Sequence, residues 1–295
     1  MKKSYQSSLI LIILITILTL YIINSSLITE GILDYTKLFI TKLFPTSFLL
    51  FTFSSLLINY QLIDTIAKIT KKNSSTLYIT IMSLISGFPS GPKYTVELFN
   101  KNYINQKTAN YLLTYTHFPN PLFILGPVNV LIGNTKTTIK LLFSLLISNF
   151  LIALFLYKKS PQTLLPKNEQ TSFPKALNEA IISTTKTLIL IYGTSLFFYL
   201  ISLLIIHYIP LTPITYILIN GIFDLTKGIF STSIISSTLI KAILIITFIS
   251  FGSISIHIQI KSILSDTSLN YKNFLLGRIF STLISLFIFS LFMLI

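Results

Sequence analysis

The residues best suited to chemistry begin with a chain-breaking run from Ser86 to Lys93, which reads Ser-Gly-Phe-Pro-Ser-Gly-Pro-Lys and directly follows an apolar segment. Backbone groups freed by Gly and Pro at membrane depth are tolerated only where protein or a watery cavity satisfies them. Broken helices of this kind line the solute sites of transporters. The run therefore predicts a solute pathway, with candidate lining residues Ser86, Gly87, Pro89, Ser90, Gly91 and Lys93.

Lys93 carries the charge at the end of this run, and Glu97 follows four positions later on the same helical face. Two interpretations stay open. Lys93 binds a carboxylate of the solute, or it pairs with Glu97. Ionisable residues inside a membrane are functional candidates by default, because their burial is costly.

Further polar candidates lie near the carboxyl terminus. His257 and Gln259 diverge on a helix but face one side in extended backbone, so they either contact a ligand or proton or form a hydrogen bond between helices. Arg278, the single arginine, offers a planar fork that can hold a carboxylate; the alternative is a charge that snorkels to the interface.

Asp224 precedes Lys227 by three positions, which favours a pair on a helix surface. Alternatively, Asp224 and Thr226 coordinate a coupling cation through oxygen ligands.

His117 lies in a proline-rich stretch that should interrupt its helix, and it is a candidate lining residue. The remaining candidates are Asn120, Pro121, Gly252, Ser253 and Ser255.

The composition indicates which elements position these residues. Hydrophobic residues make up 52% of the 295 and charged residues 10%, against about a quarter in soluble proteins, and the mean hydropathy is +0.79. A membrane span needs about 20 apolar residues. The charge-free runs thus predict an all-α polytopic membrane protein with about seven to nine helical membrane elements.

The chain is predicted to form a single membrane domain, 1–295, in the lipid bilayer. Its net charge of +14 is attributed to lysines at span ends, by the positive-inside rule, rather than to nucleic-acid binding. The lysine groups at 2–3, 68–72 and 158–175 mark cytoplasmic segments and place the amino terminus inside. The first apolar run is interpreted as a retained span rather than a signal peptide.

Two halves of the chain, about 36–157 and 175–295, share a plan on either side of the predicted cytoplasmic loop 158–175. One constant offset aligns Gly87 with Gly252, Ser90 with Ser255, Asn105 with Asn270 and Lys107 with Lys272. Corresponding interruptions in two halves indicate a transport site at a repeat interface. We therefore expect two re-entrant or broken helical hairpins in a pseudo-symmetric repeat, whose helix amino termini suit an anion.

Several motifs resemble the YlbJ-type sporulation integral membrane proteins. Besides Ser86 to Lys93, they are Val96-Glu97-Leu98, Leu112-Leu113, Pro121-Leu122-Phe123-Ile124-Leu125-Gly126, Asp224-Leu225-Thr226-Lys227-Gly228, Phe251-Gly252-Ser253-Ile254-Ser255-Ile256-His257-Ile258-Gln259 and Leu275-Leu276-Gly277-Arg278. That family carries the nucleoside-recognition or gate domain and is related to concentrative nucleoside transporters. Before Pro121 it usually has Asn, Ser and Gly, where this chain has His117 to Asn120.

The resemblance implies a bacterial, multi-pass protein that carries dipicolinic acid, a small dianion, from the mother cell across the outer forespore membrane. Nucleoside transport is the alternative that the domain relationship suggests. A third function class is a non-transporting scaffold of a sporulation complex, in which the Gly and Pro residues only permit close helix packing. A homo-oligomer is left open.

An intramembrane enzyme is the function class that the sequence disfavours. The chain has no cysteine, no His-Glu-x-x-His and no Gly-x-Ser-x-Gly. It therefore offers no nucleophile beside a base, and its three histidines and scattered acids form no recognisable metal set. We expect no catalytic residues, no metal and no cofactor.

Overall fold

The computed structural model describes residues 2–60, 74–156 and 172–294, and within these residues it is helical with no strand. The predicted all-α class is confirmed. Lys68, Lys71 and Lys72 and most of the predicted cytoplasmic loop, residues 158–171, lie outside the described residues.

The first half contains nine α-helices in the described residues. They are α1 (Lys2–Ile23), α2 (Ser25–Leu38), α3 (Phe44–Asn59), α4 (Ser74–Ser86), α5 (Ser90–Asn100), α6 (Gln106–Tyr115), α7 (Pro121–Phe123), α8 (Asn129–Ile132) and α9 (Thr135–Phe155). A π-helical segment, Phe39–Leu43, joins α2 to α3, and another, Ile124–Val128, joins α7 to α8.

The second half contains six α-helices and one short 3-10 helix, Thr232–Ile234, within the described residues. The α-helices are α10 (Phe173–Tyr208), α11 (Pro213–Phe223), α12 (Leu225–Ser231), α13 (Thr238–Phe251), α14 (Ile254–Leu264) and α15 (Tyr271–Leu294).

Four helical segments of the described chain are long and apolar enough to cross a membrane: Thr135–Phe155, Phe173–Tyr208, Thr238–Leu264 and Tyr271–Leu294. A fifth is counted if α1 and the helix after it, which meet at a bend of 94°, form one span. Shorter apolar helices occupy Ser47–Leu57, Ser75–Ser86, Pro121–Ile132 and Pro213–Phe223. The chain is therefore a multi-pass membrane protein.

Helices α4 and α5 form a hairpin, which we call hairpin 1. In one continuous helix, Tyr78 and Tyr94 would be about 24 Å apart; here their ring centroids are 6.2 Å apart. The chain reverses at the Gly87-Phe88-Pro89 tip, where Gly87 has a φ of 76° that favours glycine.

Helices α11 and α12 form hairpin 2, whose tip is Asp224. Gly221 and Gly228 lie on opposite arms, and a Cβ added to Gly228 would be 2.2 Å from the Gly221 Cα. The two arms therefore pack backbone against backbone, which only glycine at these positions permits.

A helical path with an interruption follows each hairpin. After hairpin 1, the non-helical residues 116–120 separate α6 from α7. After hairpin 2, Gly252 and Ser253 separate α13 from α14 within the single 27-residue segment Thr238–Leu264. Gly252 has a φ of 88°, again in the region that favours glycine. The uninterrupted spans α9 and α15 come next, and they contact each other through the Ser148 and Ser281 hydroxyls, 3.2 Å apart.

Hydrogen bonds between distant residues define two ends of the molecule. At the first end, Lys101 donates to Asn59, Gln106 to the Ser268 carbonyl and Tyr111 to the Ala153 carbonyl. At the second end, Asn24 donates to Tyr208, Lys241 to the Leu131 carbonyl and Lys140 to the Phe292 carbonyl. Hairpin 1 opens toward the first end, while hairpin 2 follows α10 and opens toward the second.

Within the described residues, each half therefore runs in the order helix, hairpin, interrupted path and span, and the two hairpins open toward opposite ends. This corrects the alignment of Gly87 with Gly252. Gly87 forms a hairpin tip, whose counterpart is Asp224, whereas Gly252 interrupts a helical path, whose counterpart is residues 116–120. The constant offset matched similar local breaks in a chain rich in Ser, Ile and Leu, not equivalent elements.

Two hydrophobic clusters hold these elements. One joins α2, α3 and α10 around Tyr35, Phe51 and Tyr199. The other joins the hairpins, the interrupted paths and the spans α9 and α15, and it includes Tyr94, Phe118 and Phe274. The two clusters are separate groups of packed side chains among the described residues.

Candidate functional site: a cavity between the two hairpin tips

A cavity of about 50 Å³ lies between the two hairpins and the π-helical segment Phe39–Leu43. Both hairpin tips reach it, together with the π-helical segment before α3 and residues 116–120, which we call the first interruption. Its lining residues are Lys42, Leu43, Ser47, Ser86, Phe88, Asn120, Phe123, Leu225, Thr226 and Ile229. The predicted candidates Ser86, Asn120 and Thr226, from three separate parts of the sequence, thus converge here.

The tip of hairpin 1 is packed tightly on the first interruption. A Cβ on Gly87 would be 2.6 Å from the backbone nitrogen of Asn120, and one on Gly91 would be 1.8 Å from the Thr116 carbonyl oxygen. Ser90 donates to the Gly87 carbonyl, and Pro89 is the N-cap of α5. These small residues bring the tip close enough for Asn120 to line the cavity.

Asn120 has a second local role. Its side-chain oxygen accepts from the Leu122 backbone N–H at 2.9 Å, and Pro121 occupies the first turn of α7. This is the arrangement expected at a helix start, since Asn is a favoured N-cap and Pro lacks the N–H that would be orphaned.

Asp224 is buried at the tip of hairpin 2. Its carboxylate accepts from the Lys227 backbone N–H at 2.9 Å and from the Tyr35 and Ser255 hydroxyls, each at 3.2 Å. Lys227 places its ammonium 4.4 Å from the Tyr199 ring, so the predicted Asp224–Lys227 ion pair is not formed. Asp224 instead caps α12 and binds Ser255, which follows the second interruption, Gly252 and Ser253.

The second interruption is held by hydroxyl groups. Ser253 and Ser255 lie 2.7 Å apart through their Oγ atoms, and Ser253 also accepts from the Ile256 backbone N–H, which makes it the N-cap of α14. Gly252 provides the left-handed backbone before this cap. Through Ser255, the interruption contacts Asp224 at the tip of hairpin 2.

The two histidines meet at Phe274. His117 stacks on Phe88 at 4.9 Å, and the Phe274 ring is 5.2 Å from His117 and 5.6 Å from His257. His257 also contacts the Tyr271 hydroxyl, 2.7 Å from Nδ1. The tip of hairpin 1 and the second interruption are therefore joined through α15.

Arg278 is fully buried, with 0% of its surface exposed. Nη1 donates to the carbonyls of His117 and Ser250 at 3.4 and 3.3 Å, and Nη2 donates to the Thr114 carbonyl at 3.2 Å and to Asn149 Oδ1 at 3.0 Å. The snorkelling alternative is wrong. The guanidinium binds α6, α9, α13 and the first interruption together and does not line the cavity.

Lys93 and Glu97 do not pair with each other. Glu97 Oε1 contacts the Lys101 ammonium at 3.2 Å. The Lys93 ammonium lies 5.1 Å from the Phe51 ring and has no hydrogen-bond partner among the described residues. Lys93 therefore faces α3 rather than the cavity.

Gln259 joins two helices, as one of its two interpretations predicted. Its Nε2 donates to the Ser195 hydroxyl at 3.1 Å and to the Ile191 carbonyl at 3.5 Å, both on α10. His257 and Gln259 lie on α14, so they point in different directions and do not converge on one ligand.

Comparison with known proteins adds one relative. The chain is 25% identical over 245 residues to the sporulation integral membrane protein YlbJ of Bacillus subtilis (strain 168). The resemblance to YlbJ-type proteins is confirmed. The match covers 68% of this chain and 60% of the relative's length. No family model and no solved structure matches the chain.

Sequence reasoning missed three residues that shape the site. Lys42 is the charged residue at the cavity, Tyr35 holds Asp224, and Phe274 holds both histidines. Two signals were available. Lys42 is an ionisable residue beside apolar helices, and Phe274 lies four residues before Arg278 on one helical face.

Proposed function

We propose that this protein is a sporulation transporter that carries a small organic anion, with dipicolinate as the first candidate, across the outer forespore membrane. One observation carries the proposal. Two oppositely directed hairpins bring their tips to one cavity that has polar lining residues, and inverted-repeat transporters form a solute site in this way. At about 50 Å³ the cavity is smaller than a small-molecule pocket of about 300–1,000 Å³, so in this proposal the tips must move apart to admit the solute.

The chemistry of the cavity favours an anion. Lys42 supplies a positive charge, and the hydroxyls of Ser47, Ser86 and Thr226 supply donors for carboxylate oxygens. Hydrogen bonds between a charged donor and a carboxylate are about twice as strong as neutral ones. No acidic residue lines the cavity within the described part of the chain.

The aromatic rings of Phe88 and Phe123 suit an aromatic solute, because ring pairs contribute beyond their buried area. A nucleoside would use the same rings and hydroxyls but would gain nothing from the charge of Lys42. The charge of Lys42 therefore favours an anion over a nucleoside as the solute. A scaffold would need neither the charge nor the cavity.

We also propose that the first end of the molecule faces the cytoplasm of the mother cell. Lys175 and the chain leading to residues 158–171 lie at the first end, where α9 ends and α10 begins. The positive-inside rule then assigns the first end to the cytoplasm, here of the mother cell. Hairpin 1 opens toward the donor compartment and hairpin 2 toward the space between the forespore membranes.

Complementation tests the proposal. In Bacillus subtilis lacking YlbJ, this chain is expected to restore dipicolinic acid to the spores, and a Lys42→Gln variant made in equal amount should restore about a tenth or less, since one lost charge-assisted contact weakens binding by about 1.5–3 kcal/mol. Lys272→Gln, an exposed lysine at the first end, is the matched control and should restore it fully. Full restoration by Lys42→Gln would contradict the anion site.

A further inference from the structure

We infer that a groove at the first end, between α5 and α10, is a second binding site that receives a small carboxylate ion before it enters the central cavity. The inference rests on the proposed transport of an anion. It adds a site that the cavity residues do not include.

The groove has the size of a ligand site. Its volume is about 530 Å³, within the usual range of about 300–1,000 Å³ for small-molecule pockets. It is lined by Lys93, Val96, Glu97, Glu179, Ile182, Ser183, Lys186, Thr187 and Ile263. The apolar lining residues come from α5, α10 and α14, and the hydroxyls and ammonium groups provide donors.

The charges in the groove leave a net positive balance. Glu97 is already paired with Lys101, 3.2 Å away. The lining holds two lysines and two glutamates, and with Lys101 the group carries a net charge of +1; the lining charges are Lys93, Lys186, Glu97 and Glu179. A small anion is the ligand charge that this balance favours.

The environment of Lys93 is the strongest indication of a ligand in the groove. Only 7% of its surface is exposed, and its ammonium has no hydrogen-bond partner among the described residues. Burial of an unpaired charge is costly unless a partner compensates it. A carboxylate ion in the groove would supply both the opposite charge and the acceptors that Lys93 lacks.

Helix α3 connects the surroundings of Lys93 with the central cavity. The Lys93 ammonium lies 5.1 Å from the ring of Phe51, which is 1% exposed. Phe51 is four residues after Ser47 on α3, and Ser47 lines the cavity. Phe51 therefore lies beside the Lys93 ammonium and one helical turn from a cavity residue on the same helix.

The chain has no cysteine, so one engineered cysteine can report on the groove without background. We would place it at Thr187→Cys and measure labelling rates by two thiosulfonate reagents of similar size, one anionic and one cationic, in reconstituted vesicles. Ser268→Cys, at an exposed position of the first end, is the control. The anionic-to-cationic ratio at Thr187→Cys should exceed the control ratio about fivefold, the effect of about 1 kcal/mol from a nearby charge.

Lys93 is tested in the same background. Lys93→Gln should bring the ratio to that of the control, whereas Lys93→Arg, which keeps the charge and checks that the position tolerates a change, should retain it. Lys186→Gln should lower it in part. Equal ratios at Thr187→Cys and Ser268→Cys, or a ratio unchanged by Lys93→Gln, would overturn the inference.

The assay separates this inference from the proposed function, because labelling does not depend on flux. Dipicolinate should slow the labelling of Thr187→Cys by about fivefold at saturation. Charge-selective labelling with no effect of dipicolinate would contradict dipicolinate as the occupant. Dipicolinate uptake without charge-selective labelling would overturn the groove site and leave the transporter standing.

Discussion

Replacement of Arg278 by alanine is expected to lower the stability of the protein by about 3 kcal/mol, because four acceptors in the buried core would lose a charged donor. Those acceptors belong to α6, α9, α13 and the first interruption, so one substitution loosens the supports of the site. For a chain of this size, the midpoint of thermal unfolding should fall by about 5–10 °C.

The experiment is a thermal unfolding series on protein purified in detergent, read by the fraction that remains monodisperse. Arg278→Lys is the matched variant. It keeps the charge but cannot reach four acceptors as a planar fork does, and it should lie between wild type and Arg278→Ala. If Arg278 bound the solute instead, Arg278→Ala would unfold like wild type while solute affinity fell, and that result would contradict the account.

Alanine at Gly91 or Gly277 is the second substitution with a large expected effect. The added Cβ would lie 1.8 Å from the Thr116 carbonyl oxygen in one case and 1.8 Å from the Thr114 carbonyl oxygen in the other. Both contacts are with backbone, so a helix must move rather than a side chain. Overpacking of this kind costs about 1–3 kcal/mol or more.

The matched control is Gly193→Ala, where an added Cβ meets nothing within 4 Å. It should be neutral or slightly stabilising, since alanine favours a helix interior over glycine by about 1 kcal/mol. In the same thermal series, Gly91→Ala and Gly277→Ala should unfold below wild type. Midpoints equal to that of Gly193→Ala would show that the tip and α15 do not pack on residues 114–116 as described.

The interruptions of the helices were easier to predict from the sequence than the residues that contact them. The run from Ser86 to Lys93 indicated a break in a helix because Gly and Pro restrict the local backbone directly. Asp224 stood out as an acid in an apolar stretch, but it was interpreted as half of an ion pair or as a cation ligand, and the second break was expected at Gly252. Both are hairpin tips in the structure, and Ser86 and Thr226 line one cavity.

The roles of charged residues were harder to predict, because their partners lie far away in the chain and are mostly backbone. Three of the four acceptors of Arg278 are carbonyls, which carry no sequence signal. Lys93 was expected to pair with Glu97 or a solute in the pathway, yet its nearest aromatic partner is Phe51 on α3. Lys42 reaches the cavity only because the π-helical segment before α3 lies beside both tips.

Uptake into liposomes that contain the purified protein tests whether it transports a small anion, a nucleoside or neither. Labelled dipicolinate and labelled uridine would be offered separately, with Lys42→Gln as the variant and Lys272→Gln as its control. For the proposed anion transporter, we expect saturable dipicolinate entry, about tenfold slower for Lys42→Gln at low substrate, and little uridine entry. Uridine entry alone, or no entry of either solute into vesicles with correctly folded protein, would contradict it.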